Sequence, residues 1–216
     1  MTNAIDELTA AAETVWLEGW TAGPIEPEGW GLPAGAVAPD LVLSTQDGVA
    51  QSLSAYWSAQ AVLLIFWRHF GCSCGTDRAA RLRDEYDDYR AVGLQPVIVA
   101  QGEPARAAAY QREQGLSCPI LCDPDHMAYR AFGVGQWAVE RVLYDAPAEY
   151  WAHPRDLGEG FQNQRRAAGR PPVDDPWRAT AEFVISAGGV VRLCHFYQHC
   201  EDFPDPRVLT TAARLS

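Results

Sequence analysis

The sequence predicts an α/β fold in which a mixed β-sheet is sandwiched between helices. Two short apolar runs, 61–67 and 94–100, are each followed by a segment with helical periodicity, which is typical of parallel βαβ units. Near the end of the chain, residues 181–199 alternate around Gly188-Gly189 like a β-hairpin, and 205–215 has the pattern of a closing helix. Parallel strands followed by an antiparallel hairpin make the predicted sheet a mixed one.

The start of the chain predicts an extension rather than part of the sheet. Residues 3–18 have the spacing of an amphipathic helix, and the segment after them is rich in glycine and proline, as expected of an irregular connector. We therefore expect residues 1–32 to form an N-terminal helix and connector, and 33–216 to form the α/β domain. A hairpin over 40–53 opens the domain, because alternating residues bracket the Asp47-Gly48 turn.

The two βα units predict helices with recognisable ends. The first runs from Thr76, which we expect to be its N-cap, to Gly93, and the second covers 103–115. A short strand and a short helix follow over 118–134. Residues 136–178 depart from this alternation of strands and helices, and we expect them to form a partly helical insertion that ends in a proline-rich loop.

Composition limits the function. The net charge of −11 argues against a nucleic-acid partner or an anionic membrane surface, because phosphate binding needs clustered cations. All 17 basic residues are arginines, which excludes a Schiff-base lysine and a phosphate-loop lysine. No apolar run is long enough to span a membrane, and the first residues lack the pattern of a signal peptide. We therefore expect a cytoplasmic protein without a membrane partner.

Thiol chemistry is the function class that the cysteines favour. In a cytosolic chain of this size, six cysteines indicate reactive thiols or metal ligands rather than a disulfide framework. Two of them, Cys72 and Cys74, stand where a buried strand meets the start of a helix. The partial positive charge and free N–H groups of a helix N-terminus stabilise a thiolate, so this junction is the candidate redox site.

Several motifs in the chain resemble the AhpC/TSA redoxin family. They are the opening "GAVAPDLVLSTQDGVAQSLSAYW" with "AVLLIFWRHFGC", the middle "PILCDPDHMAYRAFGV" and the ending "FYQHCEDFPDPRVL". The similarity is to the peroxiredoxin-like branch that carries an "RHFGC" turn in place of the peroxidase motif, and it covers about 33–214 apart from the insertion. It implies a thioredoxin-like fold and a thiol-disulfide oxidoreductase, or peroxiredoxin-like antioxidant, without a cofactor. A peroxide or a disulfide would be the substrate and a thioredoxin-like or low-molecular-weight thiol the reductant, with a homodimer as one option.

The resemblance makes Cys72 the nucleophile, because it aligns with the first cysteine of the family's "GC" turn. Cys74 comes second. Arg68, Arg78 and a protonated His69 would add positive charge beside the thiolate.

The spacing of the two cysteines leaves the partner of Cys72 open. On a regular helix, side chains two residues apart diverge by roughly 200°, so a Cys72–Cys74 bond requires a non-helical turn. The last strand should run parallel to the central one, which brings His199 and Cys200 to the sheet edge that holds Cys72. Cys74 and Cys200 are therefore both candidates to resolve an oxidised Cys72. Cys122 ends a strand at the same edge but further out on the opposite flank, and we expect Cys118 and Cys194 to be buried.

Two departures from related motifs alter the expected chemistry. Counting back from Cys72, Ile65 and His69 stand where peroxiredoxins carry the proline and threonine of the peroxidase motif. Thr180 stands where thioredoxins carry a cis-proline that shapes substrate docking and shields the dithiol from metals. Together with Phe70 and Arg78, Thr180 completes the candidate substrate contacts.

Two other hypotheses compete with a thiol oxidoreductase. In one, the protein binds zinc, copper or an iron–sulfur cluster through Cys72, Cys74, His199 and Cys200, and His195 and His199 share one strand face. In the other, the protein binds or modifies a small molecule and its thiols are incidental. Five aromatic residues could then wall an apolar pocket, although filling the core under the insertion is the simpler role for them: Trp67, Phe70, Trp137, Trp151 and Trp177.

Overall fold

The computed structural model describes residues 4–143 and 152–215. Its centre is a seven-stranded mixed sheet with the strand order β2-β1-β5-β4-β3-β6-β7. The strands are β1 (Val42–Thr45), β2 (Ala50–Ser52), β3 (Ala61–Phe66), β4 (Leu94–Ala100), β5 (Ile120–Cys122), β6 (Ala181–Ile185) and β7 (Val191–Phe196). The helices are α1 (Ala4–Ala22), α2 (Ser54–Trp57), α3 (Ser73–Ala91), α4 (Pro104–Gln114), α5 (Met127–Ala131), α6 (Val139–Val142), α7 (Pro154–Ala167) and α8 (Pro206–Arg214).

The central strand β3 positions the candidate site. All six of its residues are apolar and buried, because helices cover both faces of the sheet at this point. It pairs with β4 in parallel and with β6 in antiparallel orientation. Since β7 is antiparallel to β6, it runs parallel to β3, which confirms the predicted direction of the last strand. The carboxyl ends of β3 and β7 therefore lie at the same edge of the sheet.

Two local predictions are wrong. The helix α3 begins at Ser73 with Cys72 as its N-cap, so Thr76 lies inside the first turn. The Cys72 N–H donates to the His69 carbonyl, and this turn reverses the chain early enough for the helix to start directly after Cys72. The strand β7 ends at Phe196, so His199 lies in the following turn and does not share a strand face with His195.

The described residues of the segment predicted as an insertion over 136–178 pack across the N-terminal helix. A bridge between Gln136 and Arg178 closes its base. Its helix α7 lies against α1, where Phe161 of α7 stacks with Trp16 and Trp20 of α1 at centroid distances of 5.8 and 6.5 Å. Trp177 stacks on Trp20 at 5.2 Å. Large aromatic surfaces therefore hold the extension and the insertion together.

None of the helices among residues 4–143 and 152–215 combines the length and apolar character needed to cross a bilayer.

A buried polar network joins the connector, the sheet edge and the end of the insertion. Arg178 forms ion pairs with Glu26, at 2.6 Å, and with Asp175, at 3.1 Å. Its Nη2 also donates to His126 Nδ1, so the other ring nitrogen of His126 carries the proton and donates to Gln101 Oε1 at 3.0 Å. The Gln101 amide in turn donates to carbonyl oxygens of Arg68 and Asp175. The network fixes the segment that leads into the cysteines.

His126 is held neutral inside this network. Burial is the main cause that lowers its pKa, to about 4, and the charge of Arg178 lowers it further, against the opposing effects of Asp175 and Glu26. In the unfolded chain the imidazole regains its ordinary pKa of 6.5. Below that pH the unfolded state binds more protons than the folded state, so folding stability falls as the pH falls towards 4.

Replacing His126 by asparagine should flatten the acid side of the stability profile. His126 has a positive φ of 54°, which asparagine tolerates, so the variant removes the titration without backbone strain. Between pH 7 and pH 5, the free energy of unfolding of the wild type should fall by about 2 kcal/mol more than that of His126→Asn. Urea unfolding followed by tryptophan fluorescence measures this, with the exposed His153 replaced by asparagine as the matched control. Parallel profiles of wild type and His126→Asn would contradict the assignment.

Candidate functional site

The candidate site lies where β3 ends and α3 begins. Cys72 has an extended backbone, with φ −74° and ψ 134°, whereas Cys74 belongs to the first turn of the helix. One extended residue is enough to turn the two side chains towards each other. The sulfurs are joined as a disulfide across a Cα–Cα distance of 5.3 Å. Both cysteines are buried, at 8% and 6% exposure.

Arg68 places a buried positive charge against Cys72. Its Nη1 lies 3.1 Å from the Cys72 sulfur, and its Nη2 donates to the Pro176 carbonyl at 2.6 Å. The guanidinium also lies over the Trp137 ring, 5.7 Å from the ring centroid. Among residues 4–143 and 152–215, no carboxylate forms an ion pair with Arg68, and its Nε has no hydrogen-bond partner. The group it can best neutralise is a thiolate at Cys72.

His69 is neutral and adds no charge to the site. Burial lowers its pKa well below 6.5, and the nearby charges of Arg68, Arg165 and Arg106 lower it further. Its Nδ1 is buried without a hydrogen-bond partner in the part of the chain that the structure describes. The expected protonated His69 is therefore wrong, because sequence reasoning did not include the burial of this turn.

The charge of Arg78 is neutralised by carboxylates. Its Nε and Nη2 donate to the two oxygens of Glu182 at 2.7 and 3.0 Å, and its Nη1 donates to Glu85 at 2.8 Å. Glu182 is fully buried and also accepts a hydrogen bond from the Tyr197 hydroxyl. Burial alone would lower the pKa of Arg78, but the adjacent Glu182 carboxylate raises it overall. Arg78 therefore adds no unpaired charge beside the cysteines.

Glu182 and Tyr197 are site-adjacent residues that the sequence reasoning missed. Glu182 is the one charged residue in the strand "AEFVI", and a single carboxylate in a buried strand requires a buried partner. That partner, Arg78, lies on α3 beneath the cysteines. This signal was available in the sequence.

A small crevice brings several of the predicted residues together. Its volume is about 20 Å³, close to the space of one water molecule. Cys200 is half-buried there and has an accessible side, whereas Cys74 is buried. The walls include both of these cysteines, Arg68, Arg78, Thr180 and Tyr197.

Phe70 lies on the other side of the turn, away from this crevice. Its ring stacks on Tyr110 with a centroid distance of 4.5 Å. Together with Gly71 and Thr76 it lines a separate cavity of about 190 Å³ between α1, α4 and the proline-rich end of the insertion. Phe70 therefore does not share a cavity with Thr180 and Arg78.

The insertion seals the turn that carries the cysteines. Gly71 packs so closely on Pro171 that a Cβ at this position would overlap the Pro171 carbonyl. Arg165, on α7, donates a hydrogen bond to the Gly71 carbonyl. These contacts contribute to the burial of Cys72.

The remaining cysteines are poor nucleophiles. Burial raises the pKa of each thiol to about 12 in Cys118, Cys122 and Cys194. They therefore stay protonated at neutral pH.

The two competing hypotheses receive little support from the described residues. Across 4–143 and 152–215, no group of three or more His, Cys, Asp or Glu side chains is arranged to hold a metal ion, so the proposed set with His199 and Cys200 is not assembled. Of the five aromatic residues, Trp67, Trp137 and Trp177 are buried in the core, and Trp151 lies outside the described residues. Trp67 lines the crevice of about 20 Å³, whereas Trp137 and Trp177 lie in the core.

The chain is similar in sequence to a known protein family and to proteins of two bacteria. The AhpC/TSA family model matches residues 34–193, which is well over half of the chain. A candidate peroxiredoxin of Mycobacterium tuberculosis is 31% identical over 102 residues, covering 47% of this chain and 64% of that protein. The peroxiredoxin Bcp of Escherichia coli is 29% identical over 115 residues, covering 53% of this chain and 73% of that protein.

Solved structures support the same fold. The crystal structure of the peroxidoxin BcpB from Mycobacterium tuberculosis has a TM-score of 0.61 to this chain. The superposition covers 85% of this chain and 97% of that one at 16% sequence identity, so it supports the fold alone. The match to the family model over residues 34–193 shows that this chain belongs to the AhpC/TSA family.

Proposed function

We propose that the protein is a thiol oxidoreductase in which the Cys72 thiolate attacks a peroxide oxygen and Cys74 resolves the product. The observation that carries this proposal is the Arg68 guanidinium, which is buried, unpaired by any described carboxylate and 3.1 Å from the Cys72 sulfur.

The electrostatics favour Cys72 over Cys74 as the nucleophile. A buried cation without a counter-ion is costly, and a thiolate at Cys72 removes that cost. Cys72 is also the N-cap of α3, where the helix N-terminus favours negative charge. Cys74 lies inside the first turn beside Arg78, whose charge Glu182 already neutralises.

The proposed reaction has two steps. The Cys72 thiolate attacks one oxygen of a hydroperoxide, the O–O bond breaks, and the alkoxide takes a proton and leaves as an alcohol or water. Cys72 is thereby oxidised to a sulfenic acid. The Cys74 thiol then attacks the Cys72 sulfur, the S–O bond breaks, water leaves, and the Cys72–Cys74 disulfide forms. Two electrons pass from the protein to the peroxide.

A thiol reductant closes the cycle by exchange with this disulfide. A thioredoxin-like protein or a low-molecular-weight thiol would serve, and the cytoplasm is the compartment we propose because such thiols are kept reduced there. The similarity to peroxiredoxins supports the choice of a peroxide as the oxidant.

A disulfide is the competing substrate, because the peroxidase motif is incomplete. His69 stands where the motif has a threonine, and as a neutral buried ring it supplies no hydroxyl to orient a peroxide. In the competing reaction the Cys72 thiolate attacks a substrate sulfur, and Cys74 then displaces the substrate thiol. Turnover with hydrogen peroxide, an alkyl hydroperoxide or a small disulfide distinguishes the two reactions.

Replacing Cys72 by serine should abolish turnover. Serine cannot form a disulfide and is not ionised at neutral pH, so reductant consumption should fall to the uncatalysed rate. A coupled assay that follows the reductant measures this. Cys118→Ser is the matched control, because Cys118 is buried and its thiol stays protonated. Turnover that survives in Cys72→Ser would end the assignment.

Removing the charge of Arg68 should make the nucleophile less reactive near neutral pH. In Arg68→Gln, the midpoint pH for alkylation of Cys72 by iodoacetamide should rise by about one to three units, since a cation within ion-pair distance stabilises an anion by that amount. Arg68→Lys keeps the charge and should shift the midpoint less.

The control for this experiment is Arg155→Gln, which removes an exposed arginine on α7. Its midpoint should match that of the wild type. Circular dichroism identifies a variant that has lost its fold. Equal midpoints in the wild type and in a folded Arg68→Gln would show that Arg68 does not activate Cys72.

A further inference from the structure

We infer that Cys200 is a third redox cysteine, which takes over the active-site disulfide by attacking Cys74 and passes it to the external reductant. This inference rests on the proposed function, and it extends that function to the route by which the oxidised protein is reduced. Three observations lead to it: the burial of the active-site disulfide, the difference between its two sulfurs, and the crevice that Cys74 shares with Cys200.

The active-site disulfide is poorly accessible from outside. Both of its cysteines are buried, and the insertion lies directly on the turn before Cys72. Cys200 is half-buried, so one side of it faces solvent. A protein or small-molecule thiol therefore reaches Cys200 more easily than it reaches Cys72 or Cys74.

The two sulfurs of the disulfide differ as leaving groups. In thiol exchange, the sulfur that leaves most readily is the one whose thiolate is most stable. Arg68 and the N-terminus of α3 stabilise a thiolate at Cys72. Attack is therefore favoured at Cys74, with Cys72 as the leaving group.

The crevice gives Cys200 access to the favoured sulfur. Cys74 and Cys200 both line it, and its volume of about 20 Å³ leaves no room for a larger thiol. Arg68 also lines it and is buried with an Nε–H that has no partner among the described residues, so a donor is present for an anion formed there. No other cysteine lines this crevice within the described parts of the chain.

The turn that carries Cys200 is held in place over α3. Gln198 N–H donates to the Asp202 carboxylate at 2.9 Å, and the Asp202 N–H donates to the His199 carbonyl. The Phe203 ring packs under Arg81 of α3, with 4.8 Å from the guanidinium to the ring centroid. These contacts keep Cys200 beside Cys74 instead of leaving it on a free loop.

The exchange balances in two stages. Cys200 gives its proton to solvent and its thiolate attacks the Cys74 sulfur; the Cys72–Cys74 bond breaks, the Cys74–Cys200 bond forms, and Cys72 leaves as a thiolate. One thiol of a dithiol reductant then attacks the Cys200 sulfur, and Cys74 leaves and takes a proton. The second thiol of the reductant attacks the sulfur of the first, which forms the disulfide of the reductant and releases Cys200. The reductant loses two electrons and the protein gains them.

A trapping experiment tests the contact between the two cysteines without using peroxide. The Cys72→Ser variant is treated with diamide, and its disulfides are identified by peptide mass spectrometry. We expect a Cys74–Cys200 bond, which should also form in Cys72→Ser/Cys194→Ser. If Cys74 remains unlinked to Cys200, the inference is overturned. Because the trap needs no catalytic turnover, this result does not depend on whether the protein reduces peroxides.

A kinetic experiment tests the relay itself. Protein carrying the Cys72–Cys74 disulfide is mixed with dithiothreitol, and its reduction is followed by tryptophan fluorescence. Cys200→Ser should be reduced about tenfold more slowly than the wild type or more, because the thiol must then attack a buried sulfur directly. Cys194→Ser is the matched control, since Cys194 also lies near the end of the chain and packs against the connector rather than the crevice. Reduction of Cys200→Ser within twofold of Cys194→Ser would overturn the relay.

The same proteins separate failure of the relay from failure of the proposed function. After pre-reduction, each protein is given one equivalent of hydrogen peroxide or of a small disulfide, and formation of the Cys72–Cys74 bond is measured. If that bond forms neither in the wild type nor in Cys200→Ser, which cannot pass it on, the proposed function fails, whatever the result of trapping.

Discussion

The site depends on one buried charge. Arg68 lies at the end of the central strand, its guanidinium has no carboxylate partner among the described residues, and the Cys72 sulfur is 3.1 Å away. Bonds to the Pro176 carbonyl and stacking on Trp137 fix its direction. Because the charge cannot be neutralised locally by any described acid, the protein gains stability whenever Cys72 carries a negative charge. The hydrogen bond from Arg68 to the Pro176 carbonyl therefore links the fold of the insertion to the charge beside Cys72.

Arg68 and Arg78, ten positions apart in the sequence, are both buried but differ in whether a carboxylate pairs with them. Arg78 is as deeply buried as Arg68, but Glu182 and Glu85 neutralise it, so it serves to hold α3 on the sheet. Arg68 keeps its charge available to a sulfur. His69, which lies between them in the sequence, is neutral and therefore does not change this difference in charge pairing. A segment with several basic residues thus places one charge without a described carboxylate partner beside the Cys72 sulfur.

Much of the fold follows from local patterns in the sequence. The apolar runs of β3 and β4 predict the central strands, because strands covered on both faces are mostly apolar. The Gly188-Gly189 turn predicts the hairpin of β6 and β7. The contacts and burial of the site residues are harder to predict from local patterns in the sequence. The contact of Arg68 with Pro176 spans 108 residues, and the burial that keeps His69 neutral comes from the packed tertiary structure. The helix start at Ser73 differs from the Thr76 prediction because the preceding turn, rather than a capping side chain, begins the helix.

The hydrogen bonds of Gln101 have a consequence for how the protein matures during synthesis. Its amide joins the Arg68 carbonyl to the backbone of Asp175, which is 74 residues further along the chain than Gln101. The cysteines leave the ribosome long before Asp175 and Pro176 are made, so Arg68 is not yet aimed at Cys72 in the growing chain. Contacts of such high sequence separation form late in folding. Arg68 can therefore form its hydrogen bond with the Pro176 carbonyl only after the chain has been synthesised at least to Pro176.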